Sequence, residues 1–227
     1  MIDVIFEDNH LIAVNKKASD IVQGDKTGDT PLSDHVKEYL RKKYDKPGEV
    51  YCGVIHRLDR PVSGVVLFAK TDKALSRMNE MFRTREIKKT YWAITGTKPA
   101  QESGTLIHWL KKNDKTNKSH ATKFEVEGAL KSETEYKLIA ASERYFLLEI
   151  LPHTGRHHQI RVQLATMGCV IKGDLKYGAP RSNKDASICL HARKLEFLHP
   201  VKKEPVTIIA PVPEDPLWKA VEAMVTK

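Results

Sequence analysis

Apolar positions along the chain alternate between strand-like and helix-like spacing. Ile2 to Phe6 and Leu11 to Asn15 are short apolar runs separated by the polar Glu7-Asp8-Asn9-His10, which predicts a β-hairpin. After a loop through Gly24 and Gly28, Thr30 can cap a helix with Pro31 at its first position, and Leu32, Val36 and Leu40 recur at helical spacing. Val65 to Ala69 is an unbroken apolar run of strand length. Thr71-Asp72 then opens a helix whose Leu75, Met78 and Phe82 share one face.

Further strands are expected at Thr90 to Thr95, Thr105 to Leu110, Thr134 to Ala140, Tyr145 to Leu151, Ile188 to Phe197 and Val206 to Ile209. A helix is expected from about His157 to Met167, with Gly168 where a C-cap glycine belongs. A last helix starts at Pro216, with Leu217, Val221 and Met224 on its packing stripe. The polar stretch Lys111 to Lys118 reads as a flexible loop. Strands outnumber helices and follow one another through short connections. The expected fold class is therefore α+β, with a largely antiparallel or mixed central sheet and flanking helices.

Composition narrows this further. A chain of 227 residues, 41% hydrophobic, can bury one substantial core, so a single domain over residues 1–227 is the expectation. The first residues carry acids where a signal peptide would have Lys or Arg, and no apolar stretch approaches the roughly 20 residues that span a bilayer. A cytoplasmic protein without membrane contact is expected. Three cysteines, Cys52, Cys169 and Cys189, lie far apart and make no Cys-x-x-Cys pair, so they read as reduced thiols. A formal charge of +9 would help a cleft hold a polyanion such as RNA.

Three segments could carry chemistry. In Val54-Ile55-His56-Arg57-Leu58-Asp59-Arg60-Pro61-Val62-Ser63-Gly64, a charged loop interrupts two apolar stretches. Arg57 and Arg60 flank Asp59, and their charge favours an ionised carboxylate suited to a nucleophile or base; an Asp held by surface arginines is the structural alternative. In Leu151-Pro152-His153-Thr154-Gly155-Arg156-His157-His158-Gln159-Ile160-Arg161, a strand runs into a helix start that would expose N–H groups to anions. Its histidines lack companion ligands at a familiar metal spacing, so Arg156 and His158 read instead as lining a phosphate-rich groove or fixing the loop. Between these segments, Lys88-Lys89-Thr90-Tyr91-Trp92 is a basic approach to an aromatic strand. Alternation puts Tyr91 and Trp92 on opposite faces, one for a ligand and one for the core.

In order and over nearly the whole chain, these segments resemble the RluA-type family of RNA pseudouridine synthases. The opening Val4 to Lys16 resembles that family's first hairpin, His56-Arg57-Leu58-Asp59 with Ser63-Gly64 its catalytic motif, Lys89-Thr90-Tyr91-Trp92-Ala93 its tyrosine motif, and Gly155 to Arg161 its basic motif. Gly173-Asp174, Tyr177-Gly178, His191-Ala192 and Phe197-Leu198-His199-Pro200 resemble its later landmarks. Lys17, His157 and Gln163 depart from the residues common in the family.

The resemblance implies isomerisation of uridine to pseudouridine in structured RNA, rRNA or tRNA, by one catalytic domain with an RNA-binding cleft. Asp59 would be the catalytic aspartate, Tyr91 would stack on the uracil, Arg161 would pair with Asp59, and Arg57 would enter the stack left by the flipped base. Arg60, Arg83, Arg85, Lys88 and Lys89 join Arg156 and His158 as expected RNA contacts. No cofactor and no metal are expected, and the protein is expected to act as a monomer. Many relatives carry an N-terminal S4 domain, whereas here the hairpin begins at Ile2. Targeting is therefore expected from the catalytic domain or a partner. Two competing readings are a non-catalytic RNA-binding module and a carboxylate-dependent nucleosidase, which would need a second acid beside Asp59.

Overall fold

The computed structural model describes residues 2–24 and 27–225; the loop expected around Gly24 and Gly28 includes Asp25 and Lys26, which lie outside them. Strands β1 (Val4–Glu7) and β2 (Leu11–Lys16) precede helix α1 (Leu32–Lys43), strands β3 (Gly53–Val54) and β4 (Ser63–Ala69), and helix α2 (Asp72–Arg83). Strands β5 (Lys88–Thr95), β6 (Ser103–Asn113), β7 (Lys118–Thr122), β8 (Leu130–Ala141) and β9 (Phe146–Pro152) follow, then helix α3 (Gln159–Thr166). A 3-10 turn (Leu175–Tyr177), strands β10 (Leu190–Leu198) and β11 (Pro205–Ile209), and helix α4 (Pro216–Val225) complete an α+β fold. The chain forms two compact units, one of Met1–Lys88 with Ala192–Pro211 and one of Lys89–His191 with Val212–Lys227.

In the first unit the strand order is β1-β2-β4-β10, with β3 on β4 and β11 on β10. Leu11 to Val14 and Val65 to Ala69 are fully buried, which is why both runs are apolar without alternation. Helix α2 starts as expected, with Thr71 Oγ1 accepting the Ala74 N–H at 3.2 Å. Helix α1 differs: its N-cap is Pro31, not Thr30, and no side chain caps it. The carbonyls of Ile21 and Val22 accept the Leu32 and Ser33 N–H groups instead, at 2.7 and 3.3 Å. Glu7, at the end of β1, is buried between Lys43 Nζ (2.7 Å), Lys70 Nζ (2.8 Å) and Tyr44 Oη (2.6 Å). Burial pushes its carboxyl up, but the hydrogen bonds from Lys43, Lys70 and Tyr44 outweigh it and hold the pKa down at about 2.

In the second unit the order is β5-β9-β8-β6-β7, and every one of these pairings is antiparallel. The stretch expected to be a flexible loop is largely a β-ribbon, with Lys111, Lys112 and Asn113 paired to His120, Ser119 and Lys118. Asn113 Oδ1 closes the turn by accepting the Lys115 and Thr116 N–H groups at 3.0 and 3.2 Å, and Asn117 takes a left-handed φ of 47°. Nothing in the sequence announces this ribbon because its tip is polar on both faces. Helix α4 also differs: Trp218 and Val221 are buried while Met224 is exposed, so the stripe is centred one residue away from Leu217. Asp215 Oδ1 accepts the Leu217 and Trp218 N–H groups at 2.9 and 3.3 Å.

Candidate active site

In the first unit, Asp59 lies in the loop between β3 and β4, half-buried, with Arg57 and Arg60 exposed on either side. The Val62 N–H donates to the Asp59 carbonyl at 3.0 Å and closes a turn over Arg60-Pro61. Beneath that turn is Lys16, 1% exposed, on the same face of β2 as Ile12 and Val14. Its ammonium donates to the carbonyls of Lys17 (2.9 Å), Arg60 (3.1 Å) and Val62 (2.7 Å). Burial pushes the Lys16 pKa down to about 8, against the opposite pull of Asp20 and Asp59.

Neighbouring residues hold the loop from other sides. The Ser19 N–H donates to the Arg60 carbonyl at 3.0 Å, and the Arg60 guanidinium pairs with Asp29. His56 accepts the Leu67 N–H on Nε2 at 3.1 Å and stacks on Phe82 with centroids 5.1 Å apart. Gly64 follows with φ 117°, and a Cβ there would stand 2.4 Å from the Ala192 carbonyl oxygen. Only glycine fits, which accounts for Gly64 at the loop's exit.

The second unit carries Tyr91 and Arg161. Along β5, Trp92 is buried and Tyr91 half-buried, so the aromatic expected in the core is Trp92. Arg161 is on α3, which is shorter than expected and is preceded by His158 as N-cap with a left-handed φ of 54°. Gly168, at φ 82°, ends it as expected, with its N–H on the Ala165 carbonyl at 3.0 Å. The helix is docked by two glutamines one turn apart. Gln159 Nε2 donates to Thr134 Oγ1 at 2.8 Å, and Gln163 Oε1 accepts from the same hydroxyl at 2.6 Å. Gln163 Nε2 donates to the Leu106 carbonyl at 2.9 Å.

Arg161 is 5% exposed, and its Nε and Nη2 donate to Asp174 Oδ2 and Oδ1 at 2.7 and 2.8 Å. This edge-on pair supplies a buried counter-charge that sequence reasoning did not assign. Its signal was Asp174 itself, an acid in the motif Gly173-Asp174. Lys16 had a signal too, a charge at an inward strand position. The pairing across 13 residues for Arg161 and 29 for Gln163 has no local signature.

The other expected RNA contacts are distributed over both units. Arg83, Arg85 and Lys88 are exposed in the first, where Arg83 Nε also donates to Glu80 at 2.8 Å. Lys89 and Arg156 are in the second, Lys89 partly buried and Arg156 exposed. His158 is 8% exposed, with Nδ1 3.0 Å from the Tyr177 hydroxyl. Among the described residues, no group of three or more His, Cys, Asp or Glu is arranged to hold a metal, and no helix is long and apolar enough to cross a membrane.

Each unit thus holds one of these charged side chains on a braced segment, Asp59 on its turn in the first and Arg161 on α3 in the second. The chain belongs to the RNA pseudouridylate synthase family, whose pattern it matches over residues 10–166. It is 34% identical to the tRNA pseudouridine synthase C of Vibrio vulnificus (strain CMCP6) over 96% of this chain and 93% of that one. It is 32% identical to the ribosomal large subunit pseudouridine synthase D of Xylella fastidiosa (strain Temecula1 / ATCC 700964), over 94% of this chain and 67% of that one. Its fold is similar to the solved structure of human RNA pseudouridylate synthase domain containing 4, with TM-score 0.80 at 23% identity over 99% of this chain and 93% of that one. The protein is an RNA pseudouridine synthase, an isomerase that converts uridine to pseudouridine.

Proposed function

We propose that Asp59 is the catalytic carboxylate of this isomerisation, with Tyr91 stacking on the target uracil and Arg161 keeping Asp59 charged. The N1–C1′ bond breaks, the uracil turns, C1′–C5 forms, the C5 proton leaves to solvent and N1 takes up a proton in place of its bond to C1′. The conversion is redox-neutral. Asp59 acts at the sugar or the base once the nucleotide has left its stack, at a cost of about a few kcal/mol. Arg57 fills the vacated place, and Arg60, Arg83, Arg85, Lys88, Lys89 and Arg156 contact phosphates. His158 is withheld from that set because its ring is buried against Tyr177. The substrate is rRNA or tRNA, the two classes named in the relatives, and the enzyme works in the cytoplasm as a monomer, with residues 1–227 acting as one catalytic domain.

What carries this reading is the bracing of the Asp59 turn by Lys16, because a nucleophile or base gains rate from being held in place before the substrate arrives. The test is to incubate unmodified rRNA and tRNA transcripts with wild type and Asp59→Ala, then digest to nucleosides. Pseudouridine from wild type alone supports the proposal. Free uracil would instead indicate a nucleosidase, and unaltered uridine a binding module. Mapping pseudouridine in cellular rRNA and tRNA with and without the active protein then separates the two substrates.

A further inference from the structure

The turn that follows α3 delivers two side chains to Arg161. Asp174 and Tyr177 are three residues apart around a 3-10 turn, where side chains at that spacing eclipse. The turn is closed by the Tyr177 and Ala179 N–H groups on the Asp174 carbonyl, at 3.1 and 3.0 Å. Gly173 enters it at φ 89°, where a Cβ would meet the Ser187 carbonyl oxygen at 2.7 Å. Asp174 takes the Nε/Nη2 edge of the guanidinium, and the Tyr177 ring has the Arg161 Cζ 5.3 Å from its centroid.

Tyr177 is itself fixed. Its hydroxyl accepts the Ser119 N–H at 2.9 Å and stands 3.0 Å from His158 Nδ1, the residue with the left-handed backbone at the start of α3. Ser119 Oγ also donates to the His157 carbonyl at 2.7 Å. The ring is therefore tied both to β7 and to the helix that carries Arg161.

We infer that Asp174 and Tyr177 are positioning residues of the isomerisation, which hold the Arg161 guanidinium by its edge and its face while His158 and Ser119 hold Tyr177. A long arginine side chain would otherwise sample many rotamers, and holding it in one keeps its charge in a fixed place. The inference rests on the catalytic reading of Asp59 and Arg161. A purely structural ion pair would affect stability and leave the chemical step of folded molecules untouched, and this distinguishes the two.

The test uses full-length Asp174→Asn, Tyr177→Leu, Tyr177→Phe and Asp59→Asn with a pool of unmodified tRNA and large-subunit rRNA transcripts carrying tritium at uracil C5. Forming C1′–C5 expels that hydrogen, so tritium in water reports the isomerisation. At saturating enzyme, single-turnover release is expected to fall about 30-fold or more in Asp174→Asn and Tyr177→Leu, with filter-binding affinity for the RNA within about threefold of wild type. Tyr177→Phe keeps the ring on the guanidinium and is expected to stay within about fivefold. Should Tyr177→Leu, folded by circular dichroism, release tritium within about twofold of wild type, the inference fails. Asp174→Asn breaks a buried pair; if it does not fold, Tyr177→Leu decides by the same thresholds. Asp59→Asn separates the two levels: wild-type release there overturns the underlying reading, whereas an inactive Asp59→Asn beside a fully active Tyr177→Leu overturns the positioning role alone.

Discussion

Lys16 in the first unit and Gln163 in the second are both buried polar side chains that anchor a motif-bearing segment, yet they hold it by different means. Lys16 brings a charge into the core and spends it on the carbonyls of Lys17, Arg60 and Val62. Glu7 repeats the device, with two ammonium groups around one carboxylate. Gln163 and Gln159 dock α3 through neutral partners, Thr134, Thr154 and main-chain carbonyls. Glu7 therefore ties the stability of the first unit to acid pH. In the second, the Arg161–Asp174 pair is a charge set into a neutral network, and burying ions is costly enough that the exception points to function.

Acid probes the Glu7 device most strongly. The Glu7 carboxyl titrates from 4.5 in the unfolded chain to about 2 in the fold, so its contribution is fully present above pH 4.5 and is lost as pH falls towards 2. That contribution is about 3 kcal/mol, of which about 2 kcal/mol disappears between pH 6 and pH 3. Urea unfolding at the two pH values should show this loss in wild type, and a smaller one in Glu7→Gln.

Gln163→Leu probes the neutral network. It strands the Leu106 carbonyl and removes an acceptor from Thr134, and is expected to cost about 2 kcal/mol by urea unfolding. Lys16→Met sharpens the contrast. Depression of the lysine from 10.5 to about 8 corresponds to a burial cost of about 3 kcal/mol, which offsets the hydrogen bonds lost with the ammonium. Stability should change by less than about 1 kcal/mol while turnover falls about tenfold, because the Arg60 and Val62 carbonyls lose their anchor. The smallest effect is expected at a single exposed cation among the proposed phosphate contacts. Lys88→Glu should weaken RNA binding about threefold and lower the slope of log affinity against log salt by about 1.

What the sequence revealed depended on how local the encoding was. The β2 and β4 runs, the Thr71 cap and the Gly168 helix end are short-range signals, and each appears where its residues predicted. The ribbon at Lys111 to Lys118 escaped because a polar two-strand edge has no apolar period. The α1 cap differs from the Thr30 expectation because the carbonyls of Ile21 and Val22, each eleven residues before the N–H group it accepts, do the work of a side chain. Asp59, Tyr91 and Arg161 stood out through their motifs. Their supports did not, since Lys16 reaches Val62 across 46 residues and Gln163 reaches Thr134 across 29, pairings set by the sheet and not by spacing.

The role of Asp59 is tested most directly by tritium release from C5-labelled uridine in rRNA and tRNA transcripts with Asp59→Asn, which keeps the size of the side chain and removes its charge. Release at less than about one-thousandth of the wild-type rate, with RNA binding retained, is the predicted result. Release within about tenfold of wild type would contradict it.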